Sequence, residues 1–330
     1  MTNQYGPRFL WLLAYTCLAA LIASAAEAQT FYRLQTLPVV TTTVTQAQFL
    51  RGERDGSVAT IAGELRIPGP LTDTHKLPAV LLLHGLGGAN ISHDRWADEL
   101  SGMGVAVLLL DSFSGRKLYT LAEQGSLSNQ ARMLDAFAAL DLLGQHLRID
   151  PSRIVVMGFS GGAPAALYSS TERFNKMYGR SGMQFAAHIA LYAPCYITFR
   201  EDTRTTGMPI RLYHGAADDF LPVGPCRSFV DRLKQGGADA TLTEYPDAHH
   251  AYDNVGFPAQ PLKFAQAATP RNCVVEEGEN GQIVNAKTAK PFDSSDSCWE
   301  RGPHVAYNAA AHQATVQAVK SFLKDVFKLP

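Results

Sequence analysis

The chain has 330 residues, with 29 Lys and Arg against 30 Asp and Glu, 46% hydrophobic residues, 27 Gly, 18 Pro and 5 Cys. A net charge of -1 provides no field with which to hold a polyanion, which argues against nucleic-acid binding through phosphate neutralisation. So large an apolar share can bury enough surface to offset chain entropy, which argues against a disordered chain, and the length suits one large domain or two small ones.

The first predicted element is a secretory signal peptide over residues 1–28. Arg8 precedes an apolar run over 9–23, and Ala26-Glu27-Ala28 is an A-x-A cleavage pattern. The run is too short for the roughly 20 residues that a bilayer core requires, so no membrane association is expected once it is removed. Thr16 before Cys17 does not suit a lipoprotein site. Removal takes one base, Arg8, and one acid, Glu27, so the charge balance is unchanged. The mature chain, 29–330, is expected to be periplasmic or secreted. Its four cysteines, Cys195, Cys226, Cys273 and Cys298, are therefore expected to pair. Of the three possible connectivities, Cys195 with Cys226 and Cys273 with Cys298 is favoured, because each pair is near in sequence.

Residues 46–67 read as two strands around Asp55-Gly56, with Pro68 closing them. Short apolar runs then recur: AVLLL at 79–83, VAVLLL at 105–110, IVVM at 154–157, HIALY at 188–192 and IRLY at 210–213. Such runs suit strands buried on both faces. Helical stretches lie between them, as at 126–146, where Leu127, Ala131, Leu134, Ala138 and Leu142 recur at three- and four-residue spacings. A last strand is predicted at 241–245. A terminal helix follows from about Tyr307, with Val316, Val319, Phe322, Leu323, Val326 and Phe327 on one face. Alternating strand and helix predict an α/β protein, a mostly parallel central sheet with helices on both faces. Residues 253–303 lack any sustained period and read as an insertion, which should be functional, disordered or stapled.

The chemistry concentrates after the strand IVVM. Gly158-Phe159-Ser160-Gly161-Gly162 is G-x-S-x-G between a strand and a helix, the context of a nucleophile elbow. A serine hydroxyl is too weakly acidic to attack an ester unaided, so it requires a general base and a carboxylate to orient that base. Downstream lie LYHGAADDFLP at 212–222 and YPDAHHAYDN at 245–254, each following a predicted strand. Loops at the carboxyl ends of strands are where such sheets place their sites.

With HGLGGAN at 84–90, LLDSFSGR at 109–116, GFSGG at 158–162, HGAADDFLP at 214–222 and HHAYD at 249–253, the chain resembles the dienelactone hydrolase-like family of the α/β-hydrolase superfamily. The resemblance implies the α/β-hydrolase fold. Through the family's D-x-x-x-P pattern it selects Asp218 over Asp219 as the acid, and through H-x-[FY] it selects His250 over His249 as the base. It implies an oxyanion hole at the amides of Leu86 and Gly161, and a substrate-carboxylate role for Arg116. Two positions depart from the family. Dienelactone hydrolases proper carry a nucleophilic cysteine and a nearby glutamate where this chain has Ser160 and Gly85, which points to ordinary serine acyl-enzyme chemistry. His84 and His214 read as hydrogen-bonded structural residues.

No H-E-x-x-H or C-x-x-C is present, and adjacent His249 and His250 cannot both face one ion, so no metal is expected. Asn90 occupies the third position of a near G-x-G-x-x-G and no P-loop occurs, so no cofactor or nucleotide is expected either. The predicted activity is hydrolysis of a small-molecule carboxylic ester or lactone, with residues 253–303 forming a stapled flap at the pocket. A prolyl-oligopeptidase-type peptidase and a non-catalytic binding protein on the same scaffold are the alternatives.

Overall fold

In the computed structural model, which describes residues 32–70, 74–180 and 182–330, side chains alternate along the first buried strand. Ala79, Leu81 and Leu83 enter one hydrophobic core while Val80 and Leu82 enter another on the opposite face. Because successive strand side chains point to opposite faces, a run apolar at every position must have both faces covered. This strand, β3 (Leu77–Leu83), lies within an eight-stranded sheet whose other members are β1 (Tyr32–Thr43), β2 (Ser57–Pro68), β4 (Ala106–Asp111), β5 (Ile149–Phe159), β6 (Ala187–Leu191), β8 (Ile210–Gly215) and β9 (Ala240–Tyr245). Their order is β1-β2-β4-β3-β5-β6-β8-β9, antiparallel at β1/β2 and β2/β4 and parallel elsewhere.

Helix α4 (Asn129–Gln145) packs in the first core and the terminal helix α8 (Ala309–Phe327) in the second. Helix α2 (Ile91–Ser101) joins the second through Trp96, Ala97 and Leu100. The buried face of α4 is rotated from the predicted stripe. Leu134, Ala138 and Leu142 are only half-buried, whereas Met133, Ala136, Leu140 and Leu143 are buried. The expected stripe omitted a charged pair on the buried side, Arg132 and Asp135, and so traced the edge of the face.

The predicted hairpin over 46–67 is corrected. Its first half is a short helix, α1 (Gln46–Leu50), and the true partner of β2 is β1, in register from Tyr32↔Pro68 to Thr43↔Ser57. A capping box decides the helix: Thr45 Oγ1 accepts from Gln48 N at 3.2 Å while Gln48 Oε1 accepts from Thr45 N at 2.9 Å. β1 escaped notice because Pro38 interrupts it, and proline is tolerated there because β1 is an edge strand.

The predicted signal peptide, with Cys17, lies outside the described residues. Among those described, no helix is long and apolar enough to cross a membrane.

The insertion folds onto the domain through very short strands. β10 (Leu262–Lys263) pairs with β15 (His304–Val305), β11 (Ala268–Thr269) with β14 (Glu300–Arg301), and β12 (Val275–Glu277) with both β13 (Ile283–Asn285) and β7 (Ile197–Thr198). The buried Glu277 anchors it, taking both guanidinium ends of Arg173 at 2.7 and 2.8 Å. Disulfides join Cys195 to Cys226 and Cys273 to Cys298. The second closes a separation of 25 residues, which in the chain-entropy model contributes about 3 kcal/mol.

Burial also makes stability pH-dependent. It pushes His188, whose Nδ1 lies 2.8 Å from Ala166 O, down to about 4, and together with the nearby Arg132 it pushes His84 down to about 3. An unfolded chain protonates these rings near a pH of about 6.5, so between there and about pH 4 the unfolded state binds more protons than the native one. The stabilisation is present in full above about pH 6.5 and is lost on acidification, at roughly 1 kcal/mol per ring per pH unit. Thermal melts from pH 7 to 4.5 should show Tm falling, with a shallower slope in His188→Gln. A Tm flat over that range would mean the rings stay charged in the fold.

Candidate active site

β5 ends at Phe159 and the chain turns at once into a 3-10 turn and then helix α5 (Ala163–Tyr168). The turn places Ser160 at φ +48°, a left-handed conformation that L side chains adopt at a cost. Two glycines leave room for it, Gly158 within the turn and Gly162 where the turn packs on the end of β3. A methyl on Gly158 would lie 2.5 Å from Gly162 O, and one on Gly162 would lie 2.5 Å from His84 O. The strained turn holds the half-buried Ser160 hydroxyl clear of the backbone.

Ser160 Oγ lies 2.8 Å from His250 Nε2, and His250 Nδ1 lies 2.8 Å from Asp218 Oδ2. The other carboxylate oxygen, Asp218 Oδ1, accepts from Phe220 N at 2.9 Å and Leu221 N at 2.8 Å. Burial alone would push Asp218 upward. The facing His250, together with hydrogen bonds from His214 and His250, outweighs it and holds the carboxyl well below the usual carboxylate range. A carboxylate that accepts from Nδ1 leaves Nε2 facing the Ser160 hydroxyl, the arrangement that a general base at this position requires.

One short segment and two rings hold the histidine. Val305 forms a parallel bridge with His250, and Ala306 N donates to His250 O at 3.4 Å. Phe220 and Tyr192 pack their rings on the imidazole at 4.8 and 4.9 Å between centroids. Tyr192, itself at φ +39°, donates its hydroxyl to Asp253 Oδ1 at 2.8 Å, and Trp96 Nε1 donates to Asp253 Oδ2 at 2.7 Å. Asp253 is fully buried and ties the histidine loop to α2. It stands inside the HHAYD motif, yet its role was not foreseen; an acid beside an aromatic at a loop end was the available signal.

The expected oxyanion donors are neighbours. A Cβ built on Gly161 would lie 3.7 Å from Leu86 N and 3.1 Å from Arg132 Nη1. The loop carrying Leu86 is held from α3 (Leu121–Ser126), where Gln124 Oε1 accepts from Gly87 N at 2.9 Å. His84 Nε2 accepts from Ser112 N at 3.3 Å, so Nδ1 carries the proton and donates to Gly85 O at 2.8 Å. His214 Nε2 donates to Leu221 O at 2.7 Å, bracing the acid loop, and lies 3.4 Å from Asp218 Oδ2. His249 packs beside His304 at 6.3 Å, while His250 holds the serine contact.

Arg116 does not sit as expected. Its guanidinium takes both oxygens of the buried Asp135 at 2.7 and 2.8 Å, and also donates to Thr43 Oγ1 and Ser112 O. With its side chain 5% exposed, it is committed to a structural ion pair rather than presented to a substrate carboxylate.

The insertion sits behind the acid. Thr269 Oγ1 donates to Phe220 O at 2.5 Å, and Asp219 accepts from His304 N at 2.8 Å and faces Arg271 Nη1 at 3.4 Å. These contacts make it a buttress of the 218–222 loop. Among the described residues, no group of three His, Cys, Asp or Glu is arranged to hold a metal ion.

Residues 67–273 match the model of the dienelactone hydrolase family. No curated protein matches the chain in sequence. Many solved structures share the fold, among them two with most of both chains covered. A dienelactone hydrolase-like promiscuous phosphotriesterase from metagenomic libraries is 16% identical, with 89% of this chain and 98% of that one covered at a TM-score of 0.53. Esterase 2 of Thermogutta terrifontis, phosphoramylated by tabun, is 17% identical, with 82% and 96% covered at a TM-score of 0.53.

Proposed function

This chain belongs to the dienelactone hydrolase family and is a hydrolase acting on ester bonds, and from that premise we propose that it cleaves carboxylic esters or lactones through an acyl-enzyme on Ser160. The observation that carries the reading is the unbroken hydrogen-bond chain from Ser160 Oγ through His250 to Asp218, at 2.8 Å for each link. His250 Nε2 takes the hydroxyl proton as Ser160 Oγ bonds to the ester carbonyl carbon, and the buried Asp218 stabilises the imidazolium that forms. The negative charge moves to the carbonyl oxygen, where the amides of Leu86 and Gly161 receive it. Collapse expels the alcohol, which takes the proton from His250. Water then enters, gives a proton to the same nitrogen and attacks the acyl carbon, and the acid leaves as Ser160 is reprotonated.

Serine in place of the family's cysteine removes any need for a thiolate, and Gly85 fits that change. A Cβ at residue 85 would lie 3.2 Å from Ser160 Cβ and 3.3 Å from Phe159 O, so the glycine suits the close approach of this loop to the elbow. We further propose that the chain is exported by residues 1–28 to the periplasm or beyond, and that residues 29–330 form one domain. The two disulfides favour an oxidising compartment. Residues 253–303 are best read as the support of the acid loop, a role different from a lid.

Intact-mass analysis of the purified protein with a fluorophosphonate tests the reading. One adduct is expected, mapping to Ser160 and missing in His250→Ala. A folded protein that takes no adduct, or takes it elsewhere, would refute the assignment.

A further inference from the structure

Helix α4 carries an arginine where its neighbours are apolar. Arg132 is 4% exposed, between the buried Ala131 and Met133. A charge taken out of water costs several kcal/mol unless hydrogen bonds and opposite charge compensate it, and a well-packed apolar residue often serves stability as well or better. The nearby carboxylate does not compensate it in full. Asp135 gives both oxygens to Arg116, at 2.7 and 2.8 Å, so two buried guanidinium groups share one carboxylate. What Arg132 does contact is specific. One end of its fork donates to His84 O and the other to Gly161 O, while its plane lies over the Phe113 ring at 5.2 Å.

Those two carbonyls belong to the loop and the elbow that bear the proposed oxyanion donors. His84 precedes Gly85 and Leu86, and its own Nδ1 donates to Gly85 O at 2.8 Å. The carbonyl and the N–H of a trans peptide point in opposite directions, so fixing Gly85 O toward His84 turns the Leu86 N–H the other way. Gly161 carries the second donor, and the other end of the fork holds the carbonyl of the same residue, on the next peptide along the chain. A planar guanidinium spans two acceptors with its geometry already set, which a lysine cannot do.

We infer that Arg132 is a positioning residue for the oxyanion site: its guanidinium bridges His84 O and Gly161 O, on the peptides next to those that bear the Leu86 and Gly161 N–H groups, thereby holding the two amides in register, and its partly compensated charge lies beside them. The inference rests on the reading of Ser160 as nucleophile. It predicts a transition-state effect, because donor spacing and buried positive charge matter most once the oxyanion has formed.

The test compares the full-length wild type with Arg132→Met and Arg132→Lys on p-nitrophenyl acetate, each rate expressed per site titrated to completion with a fluorophosphonate. Loss of one oxyanion donor typically costs about 10²–10³ in kcat, so a loosened pair is expected to lower kcat by about 10²-fold in Arg132→Met, with KM within about threefold. Arg132→Lys keeps the charge but cannot span both carbonyls, and should recover part of that loss, remaining about tenfold below wild type. A merely structural residue would lower the titratable fraction or Tm and leave kcat per site unchanged. That result, or a loss carried by KM alone, overturns the inference. Where Arg132→Met fails to fold, Arg132→Lys decides: a lower kcat with unchanged KM supports the role, and wild-type kcat overturns it. A Ser160→Ala variant that keeps wild-type activity would instead defeat the nucleophile assignment, and the inference with it, whatever the Arg132 variants do.

Discussion

Replacing Ser160 by alanine is expected to lower kcat on an activated ester by about 10⁵-fold or more, while Tm changes by no more than about 2 °C. The two halves of that expectation have separate causes. Activity falls because the attacking atom is gone and His250 has nothing to deprotonate except water. Stability is nearly unaffected because the strain at φ +48° belongs to the backbone and is the same for serine and alanine. Ser160 is also only half-buried, and the substitution removes a single oxygen, so little packed volume is lost. Removing its hydroxyl breaks one hydrogen bond at 2.8 Å, worth about 1 kcal/mol net. Measuring kcat together with a thermal melt on the same preparation tests both halves. Activity within tenfold of wild type would mean that another group attacks the ester.

Asp218→Asn should lower kcat by about 10⁴-fold with the fold retained, an effect of the kind seen when the acid of such a triad is made an amide. Here the hydrogen bonds dictate the direction. Oδ1 accepts from two backbone amides, at 2.9 and 2.8 Å, and an NH₂ group there would place donor against donor. The asparagine must therefore put its oxygen at that position and its NH₂ where Oδ2 was, facing His250 Nδ1. An NH₂ donor there forces the ring proton onto Nε2, where it points at Ser160 Oγ instead of receiving its proton. Nitrogen-detected NMR of the imidazole would report the switched tautomer, and kinetics the loss. A variant with near wild-type kcat would show that Asp218 does not set the tautomer and that another acid does.

Most of the sheet was legible because its central strands are buried on both faces and so read as unbroken apolar runs. The elements that were missed are those whose fate is set elsewhere in the chain. β1 is an exposed edge with a proline inside it, and only its pairing with β2 makes it a strand. The two- and three-residue strands of the insertion exist through partners as distant as Ile197, beyond the reach of any local pattern. At the candidate site, the sequence pointed to Ser160, Asp218 and His250, which the structure brings within hydrogen-bond reach of one another, because each stands in a short motif at a strand end. Arg116 was misread because a motif specifies where a side chain starts and says nothing of a carboxylate on another helix that captures it. Arg132 and Asp253 were passed over for the same reason, as their partners are backbone carbonyls and rings contributed by other elements.

The bridge between His250 and Val305 also bears on when activity can first appear during biosynthesis. Ala306 N donates to His250 O, and Asn308 N donates to Tyr252 O at 2.8 Å just before the terminal helix begins. The loop presenting His250 is thus completed by residues that leave the ribosome more than fifty positions later. A nascent chain holding Ser160 and Asp218 can form most of the sheet and still lack a seated histidine. On the proposed reading of His250 as the base, reactivity towards esters waits for that closing segment to dock.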